Sequence, residues 1–131
     1  MVYLSQGGIV SKKKKPILIY GAEVISVDTG KVLNIKVGRC ENLYDRITSF
    51  QCSTGESIRY NPLWTMMGIT VKFEYYVHGH LKRRGHHIPS PKIAVNGKIY
   101  DHHKEVYRNH KYVRTLDIEF LYDEFLMFQN I

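Results

Sequence analysis

Hydrophobic and polar positions alternate over much of this chain, and the alternation predicts strands. The apolar run from Pro16 to Gly21 ends in glycine. Glu23 to Asp28 alternates, with Val24 opposed to Ile25 and Val27, and Val32 to Val37 resumes β-branched character after the turn signal Asp28-Thr29-Gly30-Lys31. Two such runs around a tight glycine-containing turn read as a β-hairpin. Val32, Leu33, Ile35 and Val37 are its expected core contacts. Arg39 to Tyr44 reads as a loop or short turn, Ile47 to Cys52 as a strand, Cys52 to Glu56 as a turn, and Ser57 to Tyr60 as the strand behind it. Asn61-Pro62 disfavours a helix passing through. The bulky segment Leu63 to Met67 is expected to plug one end of a barrel or sheet.

Ile69 to His80 is the longest strand candidate. Ile69, Val71, Phe73, Tyr75 and Val77 fall on one face at period two, and Thr70, Lys72, Glu74, Tyr76 and His78 on the other. Leu81 to Pro91 holds three cations, two histidines, a glycine and two prolines without apolar periodicity, and reads as an exposed basic loop. Asn96-Gly97 sits between short apolar segments of Lys92 to Tyr100, a second hairpin signal. Asp101 to Val113 fits either a short helix or an irregular excursion. In Thr115 to Phe128, Ile118, Leu121, Tyr122, Phe125 and Phe128 recur at three and four residues, which predicts an amphipathic helix. Leu116, Ile118, Phe120 and Tyr122 also alternate, so a strand is its rival.

These readings add up to an α+β, β-rich fold: a small antiparallel sheet or partly closed barrel of about six to eight strands with a C-terminal amphipathic helix. The 131 residues suffice for one domain, residues 1–131, and not for two. Within it, residues 1–15 are expected to be a loosely ordered N-terminal arm. No stretch of eighteen apolar residues is present, so no membrane span is expected.

Composition adds a net charge of +7, and its distribution is uneven. Met1 to Val71 carries nine Lys/Arg against five Asp/Glu, Lys72 to Arg114 ten against three, and Thr115 to Ile131 four acids and no base. All seven histidines lie between His78 and His110, so the basic region should become more positive in mild acid. Lys12 to Lys15 follow a short, glycine-broken apolar stretch. A signal peptide places its charges before such a stretch, so secretion is not expected. The four lysines fit a nuclear-targeting or nucleic-acid patch, or a solvated junction ahead of the first strand.

Two cysteines do not make a disulfide-dense scaffold. Cys40 and Cys52 do not have zinc-ribbon spacing. Free thiols, a disulfide bridging Cα atoms within about 7 Å and metal ligation all remain open for them. Among the histidines, His78 and His80 would share a strand face, and His86 and His102 each belong to an adjacent pair. His78, His80, His86 and His102 are thus the metal candidates, with zinc the conceivable ion, if three or four ligands converge. Otherwise they are exposed histidines in basic loops. Asp101-His102-His103 matches only the tripeptide of a two-metal phosphoesterase superfamily whose other aspartate motifs are absent. Asp28-Thr-Gly-Lys31 lacks the upstream glycine and following Ser/Thr of a phosphate loop, and neither Gly-x-Ser-x-Gly nor His-Glu-x-x-His occurs. No catalytic residue is named, and no enzymatic activity or resident cofactor is expected.

The strongest functional signal is basic and aromatic residues in one stretch. Nucleic-acid surfaces combine cations for phosphate with flat rings for bases. The candidate contacts are Tyr76, Lys82, Arg83, Arg84, Tyr100, Lys104, Arg108, Lys111 and Arg114. A non-enzymatic nucleic-acid-binding accessory protein, with DNA or RNA as partner, is therefore the favoured reading. A structural or protein-interaction module, self-associating through an edge strand or the aromatic tail, is the alternative. A His-rich metal-binding protein or metal-dependent hydrolase comes third.

In size, in richness in Tyr, Ile, Val and Lys, and in lacking a familiar signature, the chain resembles the small uncharacterised proteins of viruses of hyperthermophilic archaea, spherical viruses among them. No motif carries the resemblance, so it transfers no functional residue. It implies an accessory or virion protein, located in a host cytoplasm or in the virion, and it favours a Cys40–Cys52 bond.

Overall fold

The computed structural model describes residues 16–55, 57–89, 92–95, 98–101 and 105–129. The expected N-terminal arm lies outside them. The first hairpin is present: β1 (Leu18–Ser26) pairs antiparallel with β2 (Val32–Cys40), Gly21 facing Val37 and Glu23 facing Ile35. Ile35 and Val37 are fully buried, but Leu33 points outward.

The run Ile47 to Cys52 is not a strand. It belongs to helix α1 (Leu43–Ser53), which starts where the Asn42 side chain accepts a hydrogen bond from the Asp45 amide at 3.0 Å. Such a cap satisfies one of the amides a helix start leaves without a partner. Leu43, Ile47 and Phe50, at helical spacing, then turn toward the sheet. Strand β3 (Ile58–Met67) follows and pairs with the other side of β1. Leu63 to Met67 is part of this strand rather than a plug. Pro62, which has no amide to donate, is tolerated because β3 is an edge strand.

The largest correction concerns Ile69 to His80. This segment forms helix α2, Val71–Arg83. Ile69, Phe73, Val77 and Leu81 recur every four residues and all are buried, whereas Tyr75, a member of the supposed strand face, is 65% exposed. The period of four wins because Thr70 caps the helix, its hydroxyl accepting from the Phe73 amide at 3.4 Å. Glu74 lies in the first turn and His80, Lys82 and Arg83 in the last, each complementing the helix dipole. Gly85, at a φ of 78°, ends the helix with its amide bonded to the Lys82 carbonyl. The supposed basic loop from Leu81 therefore begins with the last turn of α2.

The second hairpin consists of β4 (Lys92–Val95) and β5 (Lys98–Asp101), antiparallel with Val95 opposite Lys98. The two-residue β6 (Val106–Tyr107) then adds to the free side of β2, and His87 forms an isolated bridge with Tyr107. The short helix α3 (Lys111–Arg114) and the C-terminal helix α4 (Ile118–Gln129) complete the described chain. Ile118, Leu121 and Phe125 form the buried face of α4.

The sheet is thus open and four-stranded, in the order β3-β1-β2-β6, beside a separate two-stranded sheet. It is neither a barrel nor a sheet of six to eight strands, and with four helices among the described residues the fold is mixed α+β rather than β-rich. Helices cover both faces. On one, Leu18, Tyr20, Ala22 and Val24 of β1 meet Leu43, Ile47 and Phe50 of α1. On the other, Ile19, Ile35 and Val37 pack under Phe73, Val77 and Leu81 of α2 and Leu121 and Phe125 of α4. Burial on both faces explains why β1 reads as a nearly continuous apolar run instead of a clean alternation.

One close approach locks the second layer. Gly21 has no side chain, and the Trp64 indole of β3 lies across its Cα so closely that a Cβ there would stand 2.3 Å from a ring carbon. The indole N–H donates to the Val113 carbonyl of α3 at 3.0 Å. A β-bulge shifts the β1–β3 register at this point, between Gly21 and Ala22.

Candidate functional site

The C-terminal end of α2 meets α3 around Tyr112. The Arg84 guanidinium lies 4.4 Å from the Tyr112 ring centroid, a cation–π contact. The Tyr112 hydroxyl and His80 Nε2 are 2.5 Å apart. The His86 ring stacks on Tyr112, centroids 5.7 Å apart at 20°, and packs against His110 at 4.5 Å. His110 also caps α3, its Nδ1 accepting from the Tyr112 amide at 3.0 Å. The strand-to-helix passage is held to the end of α2 by the Arg108 amide, which donates to the His86 carbonyl at 2.8 Å. Arg83, Arg84, Arg108 and Lys111 are exposed around this cluster and form no ion pair with any described residue.

His80 and His86 resist protonation. Burial lowers the pKa of His80, and the Arg84 charge lowers it further; burial lowers that of His86, reinforced by His110, Arg84 and Arg108. Burial first, and the neighbouring positive charges second, thus favour the neutral form of both rings.

The other sequence-selected residues lie elsewhere. Lys82 is exposed on the last turn of α2. Arg114 is committed inward, 2.6 Å from Glu23 and 2.9 Å from the Asn109 side-chain oxygen. Tyr76 faces α4, donating to Glu124 at 2.5 Å within a seam of Phe73, Phe125 and Phe128. Lys104, His102 and the Tyr100 side chain lie outside what is described.

The described metal candidates, His78, His80 and His86, form no metal-binding group. On a helix, residues two apart point in different directions, so His78 is buried while His80 turns to Tyr112. Among the described residues no three His, Cys, Asp or Glu side chains form a group able to hold a metal ion. The disulfide is also absent. Cys40 is a buried thiol at the end of β2, and Cys52 an exposed thiol on the outer side of α1. Burial raises the Cys40 pKa.

His78 serves a different arrangement. Its Nδ1 lies 2.6 Å from the Tyr107 hydroxyl and its Nε2 3.2 Å from Glu74, whose other carboxylate oxygen accepts from Arg39 at 2.5 Å. With Glu74 ionised, Nε2 donates to the carboxylate and a neutral ring accepts the Tyr107 proton at Nδ1. Burial favours the neutral acid at Glu74, but hydrogen bonds from His78 and Arg39 outweigh it and lower the pKa. Burial pushes the Tyr107 phenol up. Tyr107 is fully buried, so that end of the hydrogen-bond chain is closed to solvent, and the chain clamps α2 to β2 and β6.

The spacing of Glu74 and His78, four apart, would have revealed their pairing had the segment been read as a helix. No sequence signal links Arg84 to Tyr112 or His86 to His110, because the folding of the intervening chain alone brings them together. Comparison of the chain with models of protein families, with curated proteins and with solved structures finds no match.

Proposed function

We propose that the protein binds nucleic acid through the surface where α2 ends and α3 begins. Arg83, Arg84, Arg108 and Lys111 contact phosphate, and the layered Arg84, Tyr112, His86 and His110 supply flat faces for bases. The observation that carries this reading is the cation–aromatic cluster itself: preorganised side chains ringed by four exposed cations without an acidic partner among the described residues. Such a surface recognises a polyanion chiefly through phosphate, so little sequence preference follows. The test is binding of mixed-sequence single- and double-stranded oligonucleotides across a salt series. Affinity should fall steeply with salt, and Arg84→Ala or Arg108→Ala should each lower the logarithmic salt slope by about 1. Absence of binding at low salt overturns the proposal.

A second reading, a protein-interaction surface, is favoured by one observation. Helix α4 leaves Phe120, Met127 and Phe128 each more than half exposed, an apolar display beside the acidic Glu119 and Asp123. A mass that stays monomeric over a wide concentration range removes self-association from this reading.

A further inference from the structure

A second site lies at the outer edge of β2. Strand β6 pairs only with Ile35 and Lys36, and the Val37 amide donates to the Glu105 carbonyl. Beyond Val37 no described residue pairs with that edge. There a cleft of about 310 Å³ opens, bounded by Tyr20, Lys36, Arg39, Arg46, Glu74 and Glu105. Its size lies at the lower end of small-molecule sites.

Its charges are unequally satisfied. Glu74 is buried and already holds Arg39 and His78. Lys36 is also buried, with only 6% of its surface accessible, yet Glu105 stands 3.6 Å from its ammonium. That separation is an ion pair rather than a tight hydrogen bond, and an ammonium has three donors to place. Arg46 forms no ion pair with a described residue; its guanidinium sits 5.8 Å from the Phe50 ring centroid. A buried lysine is costly to retain unless its charge is matched. Among the described residues, three basic and two acidic side chains therefore line one cleft, one acid short of balance, and burial lowers the Lys36 pKa. The Tyr20 phenol, pushed up by burial, adds an O–H donor at neutral pH.

We propose that this cleft is a binding site for the oxyanion group of a small molecule, a phosphate or a carboxylate. Lys36 forms its floor and the exposed Arg46 its outer wall, while Arg39 is positioned by the Glu74–His78–Tyr107 clamp. The site is separate from the cluster around Tyr112, and neither depends on the other. Phosphate suits it better than a carboxylate, because its additional acceptor oxygens can reach the donors of Lys36, Arg39 and Arg46 together.

The test follows backbone amide resonances of the whole chain while inorganic phosphate, acetate or chloride is added at matched ionic strength. Saturable shifts at Gly38 and Arg39 are expected, with phosphate tighter than acetate. Shifts by acetate alone would assign a carboxylate ligand and keep the site. Arg46→Gln should weaken phosphate about tenfold, the effect of removing one charge-assisted contact. Arg84→Gln, in the other cluster, should leave these shifts unchanged. Lys36→Met probes the floor, and the exposed Arg46 variant decides the matter if Lys36→Met does not fold. Equal responses to phosphate, acetate and chloride, or an unchanged phosphate affinity in Arg46→Gln, overturn the proposal.

Discussion

Replacing Gly21 by alanine adds one methyl group to a central strand. Intrinsic preference alone would make this stabilising, because glycine costs about 0.5–1 kcal/mol relative to alanine inside a strand. The packing around Gly21 reverses the sign. The new Cβ would stand 2.3 to 2.8 Å from three atoms of the Trp64 indole, below any tolerable contact. The backbone of β1 is held on both sides by β2 and β3, so the indole must move. Overpacking of this kind costs about 1–3 kcal/mol. Displacing the ring also breaks its hydrogen bond to the Val113 carbonyl, worth about 1 kcal/mol. After subtracting the gain in intrinsic preference, the net loss should be about 1–3 kcal/mol. Urea unfolding followed by fluorescence measures it directly, since Trp64 is the single tryptophan of the chain. Its native emission should change as well, because the indole leaves its carbonyl. The double variant Gly21→Ala, Trp64→Leu should recover part of the loss relative to Trp64→Leu alone. A Gly21→Ala protein as stable as the parent, or more stable, refutes the account of the Trp64 wedge.

Phe73→Ala should destabilise by about 3–5 kcal/mol in chemical denaturation, because the ring is fully buried between α2 and α4. Glu74 and Glu23 both have folded pKa values below the ordinary 4.5. Their stabilisation is therefore complete above that value and is lost as pH falls through the folded pKa, and Glu74→Gln should flatten the acid limb of a stability–pH curve. His80 and His86 are held below the ordinary 6.5, so bound phosphate should draw protons onto them. Oligonucleotide affinity should rise as pH drops below about 6.5, and His86→Gln should reduce that rise in a binding titration. In the folded protein a thiol reagent should modify Cys52 quickly and Cys40 only on unfolding, two thiols in total once denatured.

The first hairpin and the C-terminal helix were legible because local signals agreed there. A glycine turn separates two β-branched runs, and Ile118, Leu121 and Phe125 carry the helical period. Helices α1 and α2 were not legible, for different reasons. In α1 no residue is fully buried, so its apolar stripe is thin and the caps at Asn42 and Thr54 are its clearest marks. In α2 the sequence satisfies periods of two and four at once, and the exposure of Tyr75 with the burial of Glu74 and His78 separates them. Misreading both as strands is what inflated the expected sheet. Among the site residues, the local concentration of cations drew attention to Arg83, Arg84, Arg108 and Lys111, which the fold places at the end of α2 and the start of α3. Composition could not reveal that Arg114 is consumed by Glu23, or that Tyr112 rather than Tyr76 lies at the centre of the cluster.

The two-residue strand β6 has a consequence for the order in which the molecule is assembled. Its partners on β2 lie some seventy positions earlier, so its docking closes one of the longest loops in the fold. The hairpin β1–β2 needs no such closure. A late, short pairing opens readily, and amide exchange should be faster at Val37, whose N–H donates to the Glu105 carbonyl, than in the centre of β1. The rings of Tyr112 and His110 lie just beyond β6, so their meeting with His86 awaits that pairing. The proposed nucleic-acid surface should then form late and loosen early, and a bound strand, if that proposal holds, should slow exchange throughout the segment from Val106 to Arg114.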